Sequence, residues 1–350
     1  MRPSTVDFIT PVLLAMILGA AALAASFAAP AMQRVVTEAL IYVVVVVGLY
    51  VFSGNSGVMS FGHVSFMIMA AYLSALLTLP AQKKHALLAL PAALEQWHLS
   101  TASSAVIASA AAGLVALGIG WPIMRLRGVI PSMATFALLI ITHVVAQNWK
   151  SVTGGRQALV GLPLDTTIWT ALTCAVLAIC IAAWYQQSRR GALLRCSREN
   201  EVAAESIGID IARERMVALV ISACISGLGG VLFAHFLGTL NPNTFYLDTT
   251  FLTLAMLVVG GFRSLSGAVF GVVILKSVAE IFRSLEEGIT LWGANFAARA
   301  GMQEVALALI MLIILIFRPE GLFGGTEIGA VIGRRLGSSR SATRASKTIS

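Results

Sequence analysis

The sequence predicts an all-α fold, a polytopic membrane helical bundle of about ten transmembrane helices with both termini on the cytoplasmic side. Three observations predict it. Hydrophobic residues make up 58% of the 350-residue chain and charged residues only 11%, whereas soluble domains carry roughly 25% charged residues. Apolar runs near the roughly 20 residues that a helix needs to cross hydrocarbon recur along almost the whole chain. Lys and Arg collect in alternate connections between those runs, which is how a membrane protein marks its cytoplasmic face.

Taken in order, the runs fall near 8–29, 35–53, 61–79, 103–124, 129–147, 168–186, 216–238, 248–262, 267–284 and 302–318. The first follows only Arg2 as positive charge and is long for a signal-peptide core, so it is read as a retained span. Two runs are less regular. The run 61–79 opens on Ser60-Phe61-Gly62-His63, and 248–262 is short and ends in Gly260-Gly261, so either is expected to span fully or to be broken or re-entrant. With the N-terminus inside and alternating helices, sixteen Lys and Arg fall inside and six outside. Lys276 and Arg283 lie within a span, which accounts for all 24. Residues 1–324 read as one membrane domain. Residues 325–350, rich in Ser, Gly and Arg, read as a disordered cytoplasmic tail drawn to anionic lipid.

The same composition excludes several functions. A net charge of +8 would suit a nucleic-acid binder, but the basic residues sit in short segments between apolar runs, so no nucleic-acid partner is expected. Cys174, Cys180 and Cys224 lie inside apolar runs and Cys196 in a basic connection, with neither a disulfide framework nor a CxxC metal pattern. No Gly-Lys dipeptide occurs, so the chain has no P-loop and any ATP hydrolysis must come from a partner. The HExxH and GxSxG patterns are missing too, which removes the commonest metalloprotease and hydrolase signatures.

Three constellations are candidates for function. The connection 187–215 is far longer than the 2–8 residues usual between helices. Inside it, Ala203 and Ala204 flanked by Glu201 and Glu205 favour a short helix, with Gly208 as its stop. A short surface helix with a small-residue face suits another protein's groove, and equally suits a solvated position among lipid headgroups. In the polar opening of the third run, Ser60, Gly62 and His63 either line a translocation path or serve as structural hydrogen-bonding groups. Lys276, Glu280 and Arg283 share one helix face at i, i+4 and i+7. They predict a structural Lys276–Glu280 ion pair facing the bundle, with Arg283 snorkelling to the interface.

The segment Glu199-Asn200-Glu201-Val202-Ala203-Ala204-Glu205-Ser206-Ile207-Gly208 resembles the ATPase-coupling segment of LivM-type permeases, which belong to ABC importers of branched-chain amino acids. Other segments resemble the family in the same order. These are Gly54 to His63, Leu126-Arg127-Gly128, Asn148-Trp149 with Thr153-Gly154-Gly155, Gly161-Leu162-Pro163, Asn241-Pro242, Gly260-Gly261, Ser264-Leu265 with Gly267, Glu280 with Arg283, and Phe317-Arg318-Pro319 with Gly321-Leu322. Each motif is weak alone; their joint order is specific. The chain departs from the pattern at Val129-Ile130-Pro131, at Gln157-Ala158 and at Arg263, which stands where a third glycine is common. These departures leave the solute open.

The resemblance implies a permease in the bacterial inner membrane, not an enzyme. Its implied partners are two ABC ATPase subunits, which would bind the ATP and Mg, a second LivH-like permease subunit and a periplasmic solute-binding protein, besides membrane lipid. Glu199, Asn200, Glu201, Ala203, Ala204 and Gly208 are its implied coupling residues. Rival readings are a related permease for urea, amides, sugars or nucleosides and an ion-coupled secondary transporter. The second would need coupling carboxylates at the midplane, and among the runs Glu280 is the expected buried candidate.

Overall fold

In hydrocarbon a backbone must satisfy its own polar groups, and a helix does this residue by residue. That constraint overrides local preference in the second run. Val43 to Val47 are five consecutive β-branched residues with a preference for strands, yet all five are helical and buried. The computed structural model describes residues 5–80, 82–84, 99–287, 289–291, 294–296, 301–318, 320–324 and 327.

A helix lies on each of the ten predicted runs. In chain order these are α1 (Thr5–Ser26), α2 (Pro30–Leu49), α3 (His63–Thr78), α4 (Thr101–Met124) and α5 (Ile130–Asn148). After the short α6 (Lys150–Thr153) comes α7 (Ile168–Gln187), then α8 (Arg189–Glu199) and α9 (Glu201–Ser206), which lie in the long connection. The remainder are α10 (Ile211–Leu237), α11 (Leu247–Gly260), α12 (Leu265–Glu287) and α13 (Met302–Phe317). Seven of these, on α1, α2, α4, α5, α7, α10 and α12, are long and apolar enough to cross a membrane. The other three are shorter. At 1.5 Å per residue, the 16-residue α3 and α13 and the 14-residue α11 reach about 24 and 21 Å, less than the roughly 30 Å hydrocarbon core. The chain is a multi-pass integral membrane protein.

α2 and α10 are the most enclosed of the seven. α10 packs on α2, α3 and α4, the α11–α12 hairpin lies against α2, and α13 covers α12. Close approach depends on small residues, as expected where lipid is as apolar as the side chains. A Cβ at Gly230 of α10 would sit 2.1 Å from the Met67 carbonyl oxygen of α3, and one at Gly271 of α12 would sit 1.9 Å from the Met256 carbonyl oxygen of α11.

The loops sort into two groups at opposite ends of α10, whose 27 residues span about 40 Å. At one end Arg127 pairs with Glu205 at 2.9 Å, joining two connections predicted to lie inside. At the other, Lys83 donates to the Gly161 carbonyl at 3.2 Å, and strand β1 (Leu159–Val160) pairs antiparallel with β2 (Thr239–Leu240). These are connections predicted to lie outside. A second antiparallel pair, β3 (Ile289–Leu291) with β4 (Ala294–Phe296), follows α12.

The stretch after α13 folds back on the bundle. Leu322 N–H donates to the Val259 carbonyl at 2.9 Å, Phe323 N–H to the Gly260 carbonyl at 3.1 Å, and Phe323 stacks on Phe270. Of the predicted tail 325–350 only Glu327 is described. Its carboxylate accepts from the Leu265 and Ser266 N–H groups at the start of α12 and from Gln186 Nε2, so at this residue the chain is anchored.

Candidate coupling and translocation site

The site is built around a break in the second transmembrane segment. α2 widens into a π-helical turn over Tyr50–Gly54, a geometry frequent at functional sites. Asn55 and Ser56 complete the helix, and Gly57 ends it with φ +77°, a left-handed conformation that side chains disfavour. The backbone then runs without regular structure to Gly62, and α3 begins at His63.

A break in hydrocarbon frees carbonyl groups that need donors. α8 supplies them. Arg198 Nη1 donates to the Gly54 carbonyl at 2.7 Å, and Arg195 Nη1 donates to Asn55 Oδ1 at 3.1 Å while Asn55 Nδ2 donates to the Val51 carbonyl at 3.0 Å. The long connection is thereby fastened to the broken helix by two guanidinium groups.

α9 is a single short helix with a clear start and stop. Asn200 is its N-cap, its side chain accepting from Ala203 N–H at 3.0 Å. Gly208 has φ +85°, and its N–H donates to the Glu205 carbonyl. Glu199 pairs with its neighbour Arg198 at 3.0 Å and stays largely exposed. Ala203 is exposed, but Ala204 is only 3% exposed. This corrects the expectation that Ala203 and Ala204 share an outward small-residue face. Ala204 points inward, and the outward face carries Val202 and Ile207, at 77% and 76% exposure. Glu201 is also turned inward and pairs with the buried Arg215 of α10, so its carboxylate already has a basic partner within the chain.

Ser60 and His63 are buried. His63 Nδ1 lies 2.8 Å from Ser60 Oγ, and Nε2 bonds to Ser222 of α10, whose hydroxyl donates to the Gly48 carbonyl at 2.5 Å. His63 thus ties α2, α3 and α10 together, in line with the structural alternative. Gly62 allows α5 to approach, because a Cβ there would lie 2.8 Å from the Thr135 carbonyl oxygen. The flanking residues face open space instead. A cavity of about 870 Å³ at the α8–α9 end is lined by Ser56 to Met59, Phe61, Arg198, Glu201 and Arg263, with apolar walls from α5 and α11.

The predicted Lys276–Glu280 pair does not form. Lys276 Nζ lies 2.6 Å from Glu38 Oε1 of α2 and above the Tyr42 ring, while Glu280 pairs with Arg283 at 2.7 Å on its own helix. Intrahelical spacing favoured the first pairing, but Lys276 projects toward α2, where Glu38 waits. Glu38 lies inside the second predicted run, so Glu280 is not the sole carboxylate there. Arg195, Arg198, Asn55 and Ser222 were also not singled out. Only the spacing of Arg195 and Arg198, three residues apart on one helix face, offered a signal.

The family model for the branched-chain amino acid transport system permease component matches residues 31–318, which includes every element of this site. The chain belongs to that family. The permease is 27% identical to the high-affinity branched-chain amino acid transport system permease protein LivM of Salmonella typhimurium over 327 residues, covering 84% of this chain and 70% of that protein. It is also 27% identical to LivH of Salmonella typhimurium, over 85% of this chain and 95% of that one, and 26% identical to BraD of Pseudomonas aeruginosa over 43% and 45%. No solved structure matches it. The LivM-type resemblance read from the motifs holds across most of the permease, which is a transport subunit and not an enzyme.

Proposed function

We propose that this chain is one of two related permease subunits of an ATP-driven importer for branched-chain amino acids or similar small polar solutes, seated in the bacterial inner membrane with both termini and the α8–α9 connection in the cytoplasm. It crosses the membrane through about ten helices. Two ABC ATPase subunits bind ATP and Mg, a LivH-like permease completes the path, and a periplasmic binding protein delivers the solute and carries most of the selectivity. One observation supports this reading above the others. The connection that resembles the coupling segment is bonded through Arg198 to the Gly54 carbonyl, at the break that opens onto the cavity.

The mechanism follows from that bond. Closure of the ATPase dimer presses on the outward face of α9, where Val202 and Ile207 offer apolar anchors. α8 moves with α9 and carries the Gly54–Asn55 carbonyl and amide groups with it. The segment 56–62 then changes its exposure to the cavity. ATP shifts the equilibrium only as far as its affinities for the two transporter states differ. Uptake of labelled leucine, isoleucine, valine, amides and urea by cells lacking and regaining this gene tests the assignment. Restored uptake of the branched-chain amino acids is expected; restored uptake of urea or amides alone would overturn the branched-chain assignment.

A further inference from the structure

The cavity beside the broken helix carries more than the coupling reading uses. Its walls are apolar and soft, with Met59 and Phe61 from the break, Met133 and Phe136 from α5, and Phe251 and Phe262 from the α11 hairpin. Three charged side chains line it, and two of them already hold partners. Arg198 holds Gly54 and Glu199, and Glu201 pairs with Arg215. Arg263 is different. It is exposed, lines the same cavity, and makes no hydrogen bond or ion pair among the described residues. It is also the position at which this chain departs from the glycine run of its resemblance.

The geometry points to this cavity as a transit site for α-amino acids with apolar side chains, in which Arg263 holds the carboxylate and the Met and Phe wall takes the side chain. This deepens the importer reading and rests on it. A guanidinium presents two parallel donors that match a carboxylate, and an unbranched thioether wall adapts to side chains of different shape. Glu201 keeps one carboxylate oxygen beyond its bond to Arg215, and with the Ser132 hydroxyl it supplies acceptors for the ammonium group. The volume of about 870 Å³ falls within the range of small-molecule sites, roughly 300–1,000 Å³. It is loose for one amino acid, and looseness suits a step that must release what it holds.

The test uses the complete complex in lipid vesicles, with the four native cysteines replaced by alanine and a single cysteine introduced by Met133→Cys. L-Leucine is expected to slow labelling of that cysteine by an impermeant thiol reagent, and isoamylamine, which keeps the side chain and amine but lacks the carboxylate, is expected not to. In the Arg263→Ala background the protection should be lost and leucine transport should fall roughly tenfold, while Arg263→Lys retains part of both. Labelling that leucine leaves unchanged, equal protection by isoamylamine, or a cysteine sealed off from reagent by the second permease subunit would each overturn the proposal. Protection is read without transport, so a complex that moves no amino acid defeats the importer reading separately. Persistence of leucine protection in Arg263→Ala would remove Arg263 from the site.

Discussion

Arg198 donates to the Gly54 carbonyl at 2.7 Å across 144 residues of sequence, binding the α8–α9 connection to the end of a π-helical turn. The bond removes an otherwise unpaired buried carbonyl, whose exposure to hydrocarbon would cost about 1–3 kcal/mol. It also makes the break and the connection one mechanical unit.

Arg198→Ala is therefore expected to leave membrane insertion intact, to lower thermal stability in detergent modestly, and to cut solute-stimulated ATP hydrolysis by the reconstituted complex severalfold. Gly57→Ala should act at the same place by another route. Its Cβ would stand 2.5 Å from Arg198 Cγ in a left-handed backbone, for a cost of roughly 1 kcal/mol or more. Full coupling in both variants would dissociate the connection from the break.

The outward face of α9 makes a second prediction. Val202→Asp and Ile207→Asp should preserve the melting temperature of the isolated permease yet reduce co-purification of the ATPase subunits, because both side chains are solvent-facing. Ala204→Trp should behave in the opposite order, lowering the melting temperature first, since its side chain points into the packing under α9. Unchanged ATPase recovery with both aspartates would show that this face carries no partner.

Charge pairing in the bundle can be apportioned by double-mutant cycles on thermal stability. Glu38→Ala and Lys276→Ala should each destabilise more than their combination predicts, because either alone leaves an unpaired charge among apolar helices. The Lys276→Ala and Glu280→Ala cycle should be additive within about 0.5 kcal/mol. Strong coupling in the second cycle and none in the first would reverse the assignment.

His63→Ala should destabilise the bundle by about 1–3 kcal/mol, leaving the Ser60 hydroxyl short of a partner and opening space beside Phe52 and Phe66. His63→Asn is expected to recover part of that loss. A variant with unaltered melting but altered solute selectivity would move His63 from structure to the path.

Topology is read by labelling single cysteines. A cysteine at Ser206, exposed on α9, should react with an impermeant reagent only after the membrane is opened, whereas one at Gln157 should react in intact cells. The reverse pattern would invert the orientation.

Much of the architecture was legible because its causes are local. Hydrocarbon demands helices of a certain length, and the ten apolar runs and the Gly208 stop follow from residues read in place. The polar opening at Ser60 to His63 was visible as an anomaly, but not what it bonded to, since Ser222 lies 159 residues away from His63.

The sequence by itself determined the class, the segment order and the connection that carries the family resemblance, because hydropathy and glycine placement act within a few residues. Only the tertiary structure decided partners. Spacing on α12 offered Glu280 to Lys276, and packing against α2 delivered Glu38 instead. Composition made Ala204 look like a contact surface, and burial turned it inward, leaving Val202 and Ile207 outside. The reason is common to both cases: a buried charge or methyl group is placed by whichever helix approaches it, and that approach depends on small residues far away in the chain.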